Sequence, residues 1–442
     1  MPCDPLAIEH GVRQALADKV SGNMGGIWLL VAEHLRLGTW DLLCGWTKTT
    51  GESVEPRLAM QLIHEAAVCT SGIRAERTLQ HRAGFELANG LPFVATDEAI
   101  HQLLGDHSVA DSQNLQVTLG KLRMVSGHFQ GKVLAIDPHR VRSHTKRRIR
   151  KRVEHGETKP YKMAQTFWLL DVDTHQPVCF LTGTACRSAS DAAIQLLDLA
   201  KEVFQGKEEL RLVLADAEHF SGELIHELHQ RTGFDLLVPI PNRQSTRKEY
   251  RNIPEEKFVR RWAGYATTKM EGRIKARNPA TYYKMVERFG EQPNTMSYRG
   301  FLCTSDRDEL EALVTEFPKR WHVEEFFNAN QALGWNRAGT MNLNIRYGQM
   351  TMALIAQTVI HQLRERLGQP YRQWDASHLA KELLYALEGD VRVTDDTIIV
   401  TYYNAPPVLR EHYENLPDKL EAENIAPTIP WLYGYKLDFR FR

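Results

Sequence analysis

A chain of 442 residues, 43% hydrophobic and 25% charged, has the composition of an ordinary globular protein and the length for two to four domains with a large buried core. Its 55 Lys and Arg balance 55 Asp and Glu, so no global field directs it to nucleic acid, and any such argument rests on local clustering. The six cysteines, Cys3, Cys44, Cys69, Cys179, Cys186 and Cys303, make neither a CxxC nor a Cys/His ligand spacing and read as reduced, mostly buried thiols.

The start, Met1-Pro2-Cys3-Asp4, has no basic region followed by an apolar one, and the longest apolar runs, such as 27–32, fall far short of a membrane span. A cytoplasmic protein is expected. Residues 1–125 read as a helical N-terminal domain, with apolar residues at three- and four-residue spacings over 12–20, 26–37, 56–69 and 96–104. Thr96 followed by Asp97 and Glu98 has the look of a helix start. The histidines of this region (His10, His34, His64, His81, His101 and His107) are scattered, as expected of surface or satisfied core side chains.

From Gly127 the texture turns to strands. A short apolar run, 133–136, reads as a buried strand that delivers Asp137 at its C-terminal end. A second, 210–215, delivers Asp216 in the same way. Between them, 165–170 and 177–181 read as strands joined by a turn at 173–176, and 191–204 reads as a helix with Ser190 as its cap. A helix at 222–231 and a strand at 234–239 follow. Strand, strand, strand, helix, strand, helix, strand is the order of an RNase H-like core. It makes the first and fourth strands neighbours and places Asp137 beside Asp216, where two carboxylates repel unless a cation lies between them.

Residues 241–305 read as a basic β-rich insertion. Between Arg243 and Arg277 there are eleven Lys or Arg against four Glu, with β-like segments at 262–270, 281–289 and 297–304. Residues 308–335 then read as helix, kinked or restarted at Pro318. On it Arg320, Glu324, Asn328 and Gln331 share one face, and Val323 and Phe327 lie on the side that packs. A long apolar helix at 341–363 is suited to covering a sheet, and 391–400 reads as a hairpin. The basic run from Arg140 to Arg152, which includes Lys146, Arg147, Arg148 and Arg150, comes directly after the first acidic strand, where a phosphate-tracking role is expected. Trp262, Tyr265 and Trp321 are candidates for stacking on a base, with packing the competing role.

Asp137 and Asp216 on strand ends, Glu324 four residues after Arg320 on a late helix, and a β insertion between them resemble the DDE transposases of bacterial insertion sequences. The likeness is to the group with a Tyr-x2-Arg-x3-Glu-x6-Lys signature, carried here by Phe317, Arg320, Glu324 and Gln331. An aromatic residue, Phe220, four positions after Asp216 resembles that group's second motif. The resemblance covers residues 126–385. It implies an α/β fold with an RNase H-like catalytic core, interrupted by the insertion (126–240 and 306–385 on either side of 241–305) and followed by a C-terminal hairpin and tail, 386–442. It further implies Asp137, Asp216 and Glu324 as catalytic, Mg2+-binding residues, with Mn2+ able to substitute. Arg320, Gln331, Lys146, Arg147, Arg148 and Arg150 become DNA contacts. The partners implied are transposon ends and target DNA, held by a homodimer, with no membrane and with nucleoid association when bound. Two other readings stay open: a transposase-derived DNA-binding protein without catalysis, since Phe317 and Gln331 depart from the Tyr and Lys of the signature, and a stand-alone metal-dependent nuclease.

Overall fold

The computed structural model describes residues 4–22, 24–70, 79–80, 82–153, 158–184, 187–205, 211–228, 233–273, 281–292 and 295–442. Cys3, His81, Cys186, Lys275, Arg277, residue 210 of the second acidic strand and the end of the 222–231 helix lie outside the described residues. The chain divides into two compact units, one of Met1–Leu119, Ser143–Thr145 and Phe327–Arg442, the other of Gly120–Arg142 and Lys146–Phe326.

The second unit is built on one mixed sheet. Its strands are β1 (Val133–Arg142), β2 (Lys151–Val153), β3 (Pro160–Asp171), β4 (Gln176–Thr184), β5 (Arg211–Ala215), β6 (Phe234–Pro239), β7 (Val259–Trp262), β8 (Tyr265–Arg273), β9 (Thr281–Phe289) and β10 (Ser297–Cys303). The core order is β4-β3-β1-β5-β6, with β1, β5 and β6 parallel and β3 and β4 antiparallel. This is the RNase H-like arrangement. Every residue of β5 is buried, as is nearly all of β3 and β4, the near-continuous apolar pattern of strands covered on both faces. Helix α1 (Ala189–Val203) packs Ala193, Leu196, Leu197 and Ala200 inward against β3 and β4. Beyond β6 the sheet continues antiparallel through β10, β9, β8 and β7.

Several local expectations shift. The strand at Asp137 does not end there: β1 runs on to Arg142, because β3 keeps pairing with it through Arg142 opposite Met163. Helix α1 is capped by Ser188, which accepts the Asp191 N–H, while the Ser190 hydroxyl bonds that of Ser221 at 2.9 Å. The 262–270 segment is broken by a hairpin turn, where Gly264 takes φ +70°. A short helix, α2 (Gly222–Glu227), follows β5, and a further helix, α3 (Gln244–Arg251), lies inside the insertion. Residues 308–335 are not one helix. A wide π turn (Glu311–Glu316) and a tight 3-10 turn (Phe317–Trp321) precede α4 (His322–Asn330), and a second 3-10 turn closes it. Pro318, which cannot donate to an i−4 carbonyl, sits at the change of winding.

In the first unit, Leu343–Leu367 packs against helices Ile27–Leu37, Glu55–Ala67 and Asp97–Asp106, while Pro5–Ala17 and Thr39–Thr47 pack on other elements of the unit. The first helix starts earlier than its apolar spacing indicates because Asp4 caps it and Pro5 suits its first position. Leu343–Leu367 packs among helices instead of covering a sheet, and it approaches Asp97–Asp106 so closely that a Cβ on Gly348 would lie 2.5 Å from Leu104. A small sheet, Val20–Gly22, Gly389–Thr394, Thr397–Tyr402 and Lys436–Phe441, contains the expected hairpin. His34 and His64 are buried core side chains, with Nδ1 hydrogen-bonded to Thr39 at 2.9 Å and to Asn89 at 2.6 Å and Nε2 of each left without a hydrogen-bond partner. The described cysteines are free thiols: Cys179 and Cys303 are buried, Cys44 and Cys69 half-buried. No helix among the described residues is long and apolar enough to cross a membrane.

The β3–β4 turn is held from within. Asp171, fully buried, accepts the N–H groups of Gly131 (2.5 Å), Asp173 (3.1 Å) and Thr174 (3.2 Å). Buried Arg123 donates to the Pro177 carbonyl and to Gln176. An Asn at position 171 has one acceptor oxygen and turns an NH2 toward backbone donors. Asp171→Asn is therefore expected to destabilise the fold by about 1–3 kcal/mol, read as a lowered urea midpoint at constant m; an unchanged midpoint would show that the turn does not depend on this carboxylate.

Candidate active site

Parallel pairing of β1 with β5 runs from Val133 opposite Leu212 to Ile136 opposite Ala215 and then stops. Asp137 and Asp216 are the next residue on each strand, one strand spacing apart, about 4.8 Å between backbones. Burial along β1 falls off at the same point, from buried Leu134–Ile136 to half-buried Asp137. Pro138, with no N–H to offer a ladder, follows directly. Asp216 caps the 3-10 turn Ala217–His219, accepting the Glu218 N–H at 3.1 Å and the His219 Nδ1–H at 2.6 Å.

The third acid comes from α4. Buried Val323 and Phe326 anchor the helix, Phe326 edge-on to Trp168 of β3. This leaves Glu324 half-exposed. Arg320, in the preceding 3-10 turn, donates from Nη1 to Asp137 at 2.9 Å and approaches Glu324 from Nη2 at 3.5 Å. Phe317 packs edge-on against Phe301 of β10, 4.8 Å between ring centres. A single guanidinium thus bridges a strand acid and a helix acid.

The electrostatics separate the two aspartates. Burial pushes the Asp137 carboxyl up, Asp216 and Glu324 push it the same way, and Arg320 and His219 only partly offset them, leaving it at about 7. At Asp216 burial again opposes ionisation, but the His219 hydrogen bond, with the charges of His219 and Arg320, outweighs it and holds that carboxyl below the usual range. His219 thus positions Asp216, a role signalled in the sequence only by its spacing of three. The donor set suits a hard divalent cation: carboxylate oxygens, and too little positive charge for the acids that converge on Asp137. The three carboxylates are not gathered within 4.8 Å; the set of three metal-ligating types that is so gathered, among the described residues, is His175, His322 and Glu325.

Other carboxylates near the site have other occupations. Asp171 is spent on the β3–β4 turn, Asp173 pairs with Lys319 at 2.6 Å, and Glu325 faces His175 at 3.8 Å. Glu218 joins Arg140 of β1 and, at 3.0 Å, Arg152 of β2. Those two strands take consecutive partners on β3, Arg142 opposite Met163 and Lys151 opposite Lys162, so 143–150 leave the ladder as a loop. On it Lys146, Arg147, Arg148 and Arg150 are exposed.

Gln331 is not on a continuation of the Glu324 face, because α4 ends at Asn330 and Gln331 begins a 3-10 turn, exposed. Tyr265 is a packing residue: it is buried, donates to Glu287 at 3.1 Å and lies under Trp262 at 4.4 Å. Trp262 and Trp321 are about half exposed. Much of the insertion's basic charge is paired, Arg261 with Glu309 and Lys269 with Asp306 at 2.8 Å.

The raised Asp137 carboxyl has a stability consequence. Between about pH 4 and 7 the folded chain keeps a proton there that the unfolded chain has released, so stability falls as pH rises through that window. Asp137→Asn removes this loss. In chelator, the variant's urea stability is expected to match the parent's near pH 4 and to exceed it above pH 7 by on the order of 2–4 kcal/mol; parallel pH profiles would mean that Asp137 is not strained.

Residues 128–359 match the family described as "Transposase DDE domain", a span that holds Asp137, Asp216, Arg320 and Glu324. No curated protein matches the sequence. Among solved structures the chain is similar to a piggyBac transposase in a synaptic complex with hairpin DNA, at 13% identity and a TM-score of 0.39 over 80% of each chain. With more than half of its length within that match, the chain belongs to the DDE transposase domain family.

Proposed function

We propose that the protein is a transposase that cleaves DNA at the ends of an insertion sequence and joins those ends to target DNA, with Asp137, Asp216 and Glu324 as its catalytic carboxylates. The observation that carries the reading is the termination of the β1–β5 pairing one residue before two aspartates, with Arg320 linking one of them to Glu324. Phosphodiester cleavage and strand transfer are in-line displacements at phosphorus, which require an activated water or 3′-hydroxyl and a stabilised leaving oxygen. Asp137, Asp216 and Glu324 would hold Mg2+, or Mn2+ in its place; when bound, the ions supply the Lewis acid and lower the pKa of the attacking hydroxyl.

The chain's own groups do the rest. His219 keeps Asp216 ionised and fixed in rotamer. Arg320, with its fork held beside Asp137, is placed to hydrogen-bond a phosphate oxygen. The exposed cations of the 143–150 loop would track the backbone of the bound strand, and Arg140 and Arg152, clamped by Glu218, tie both ends of that loop to the β5 end of the sheet. The substrates are the ends of the element and its target, handled by a dimer on DNA, since two ends must be processed together. Gln331, exposed and uncharged, can hydrogen-bond DNA but not neutralise a phosphate.

Asp137→Asn, Asp216→Asn and Glu324→Gln are each expected to lower cleavage of an end-containing duplex by roughly 10³-fold or more while DNA binding by gel shift stays within a few-fold, and EDTA is expected to stop the parent's reaction. Cleavage retained in one variant removes that residue from the site. Binding without cleavage in the parent would favour a DNA-binding derivative, and cleavage without joining a nuclease. Replacing Lys146, Arg147 and Arg148 with Gln is expected to flatten the log K against log salt slope by about 0.9 for each phosphate no longer neutralised; an unchanged slope returns the loop to a solvated role.

A further inference from the structure

His175 occupies the β3–β4 turn in a left-handed conformation, φ +55°. Its ring stacks on His322, in the first turn of α4, with centres 4.0 Å apart and planes at 27°. Its Nδ1 lies 3.8 Å from Oε2 of Glu325. One ligand atom from each of the three residues lies within 4.8 Å of the others. His322 Nδ1–H donates to the Val172 carbonyl at 2.7 Å, the kind of hydrogen bond metal-bound histidines make, which fixes the tautomer and leaves the lone pair on Nε2. The neighbouring acid, Asp173, is already paired with Lys319, so the cluster keeps a defined donor set of two imidazoles and one carboxylate. His175 and Glu325 are half exposed, at 46% and 53%, open to an ion arriving from solvent.

We propose that His175, His322 and Glu325 form a metal site separate from the three-carboxylate centre, taking one borderline divalent transition ion such as Zn2+. The chemistry discriminates between the two. Nitrogen donors with a single carboxylate favour Zn2+ over Mg2+, whereas the all-oxygen set at Asp137 and Asp216 favours the hard ion. A tetrahedral Zn2+ with bonds of about 2.0–2.2 Å sets its ligand atoms roughly 3.3 Å apart, so binding needs closure of up to about 1.5 Å, movement open to the exposed His175 and Glu325 side chains. Three protein ligands leave a fourth position for water. The ion would join the β3–β4 turn to α4 at residues flanking Glu324, acting as a clip on the helix that carries the third acid. The site stands independently of the transposition reading, since its ligands are none of the three carboxylates.

The test is calorimetric titration of the full chain with Zn2+ in excess Mg2+, which occupies hard oxygen sites. One saturable equivalent is expected, weakened at least tenfold by His175→Asn, which tolerates the left-handed backbone, and by Glu325→Gln, while the Asp137→Asn/Asp216→Asn double variant keeps it. A Zn2+-dependent rise in melting temperature should follow the same pattern. The proposal is overturned if no saturable equivalent appears, if both ligand variants bind Zn2+ as the parent does, or if the double aspartate variant loses it.

Discussion

Two parallel strands that stop pairing at the same level force the next residue of each into proximity. In this protein both of those residues are aspartates, and the cost of holding two like charges one strand apart, partly out of water, governs the rest of the site. His219 is spent on one acid and Arg320 on the other. The helical segment that supplies Arg320 leads straight into the one that supplies Glu324, so the counter-charge arrives with a third negative group. The balance is left short of positive charge, a configuration that is poor for stability and suited to capturing a divalent cation. The competing acids nearby show the contrast. Asp171, Asp173 and Glu218 each have their hydrogen bonds or ion pairs complete within the fold.

Much of this was legible in the sequence, because the elements that carry it have strong local signals. The buried strand before Asp137 and the one before Asp216 are short runs that only a covered sheet accommodates, and their order predicts their adjacency. The strand at 234–239 and the strand at 281–289 appear with the expected limits. The features that were not legible depend on tertiary partners. Nothing local distinguishes Ser188 from Ser190 as the cap of α1; the choice is made because Ser190 finds Ser221. The continuation of β1 beyond Asp137 reflects the length of β3, not any preference of Pro138 or His139 for a strand. The stretch 308–335 reads as one helix restarted at Pro318, yet it winds first as a π turn and then as a 3-10 turn before α4, with Pro318, which removes a donor, at the change. Gln331 left its expected face for the same kind of reason: α4 closes at Asn330.

The aromatic candidates divide along similar lines. Tyr265 has a phenol that finds Glu287 once buried, and a tyrosine so satisfied is a structural element. Trp262, stacked on it, stays about half exposed. Sequence offers the residue types, and only packing decides which ring remains available.

The departure of 143–150 from the ladder has a consequence for how such a protein can change. Because β1 and β2 occupy successive places along one neighbour, the ladder closes as though the intervening residues were absent. The number and identity of those residues are therefore uncoupled from the register that sets Asp137 opposite Trp168 and beside Asp216. Extra length in its exposed stretch, 146–150, costs mainly the slowly growing entropy of a longer loop, whereas Ser143 and Thr145 are buried and Ser143 is bonded to the Ala338 carbonyl. A segment rich in cations can thus lengthen, shorten or exchange its basic residues through evolutionary time while the carboxylates keep their alignment. The surface that meets a polyanion and the geometry that performs chemistry can diverge at separate rates within one sheet.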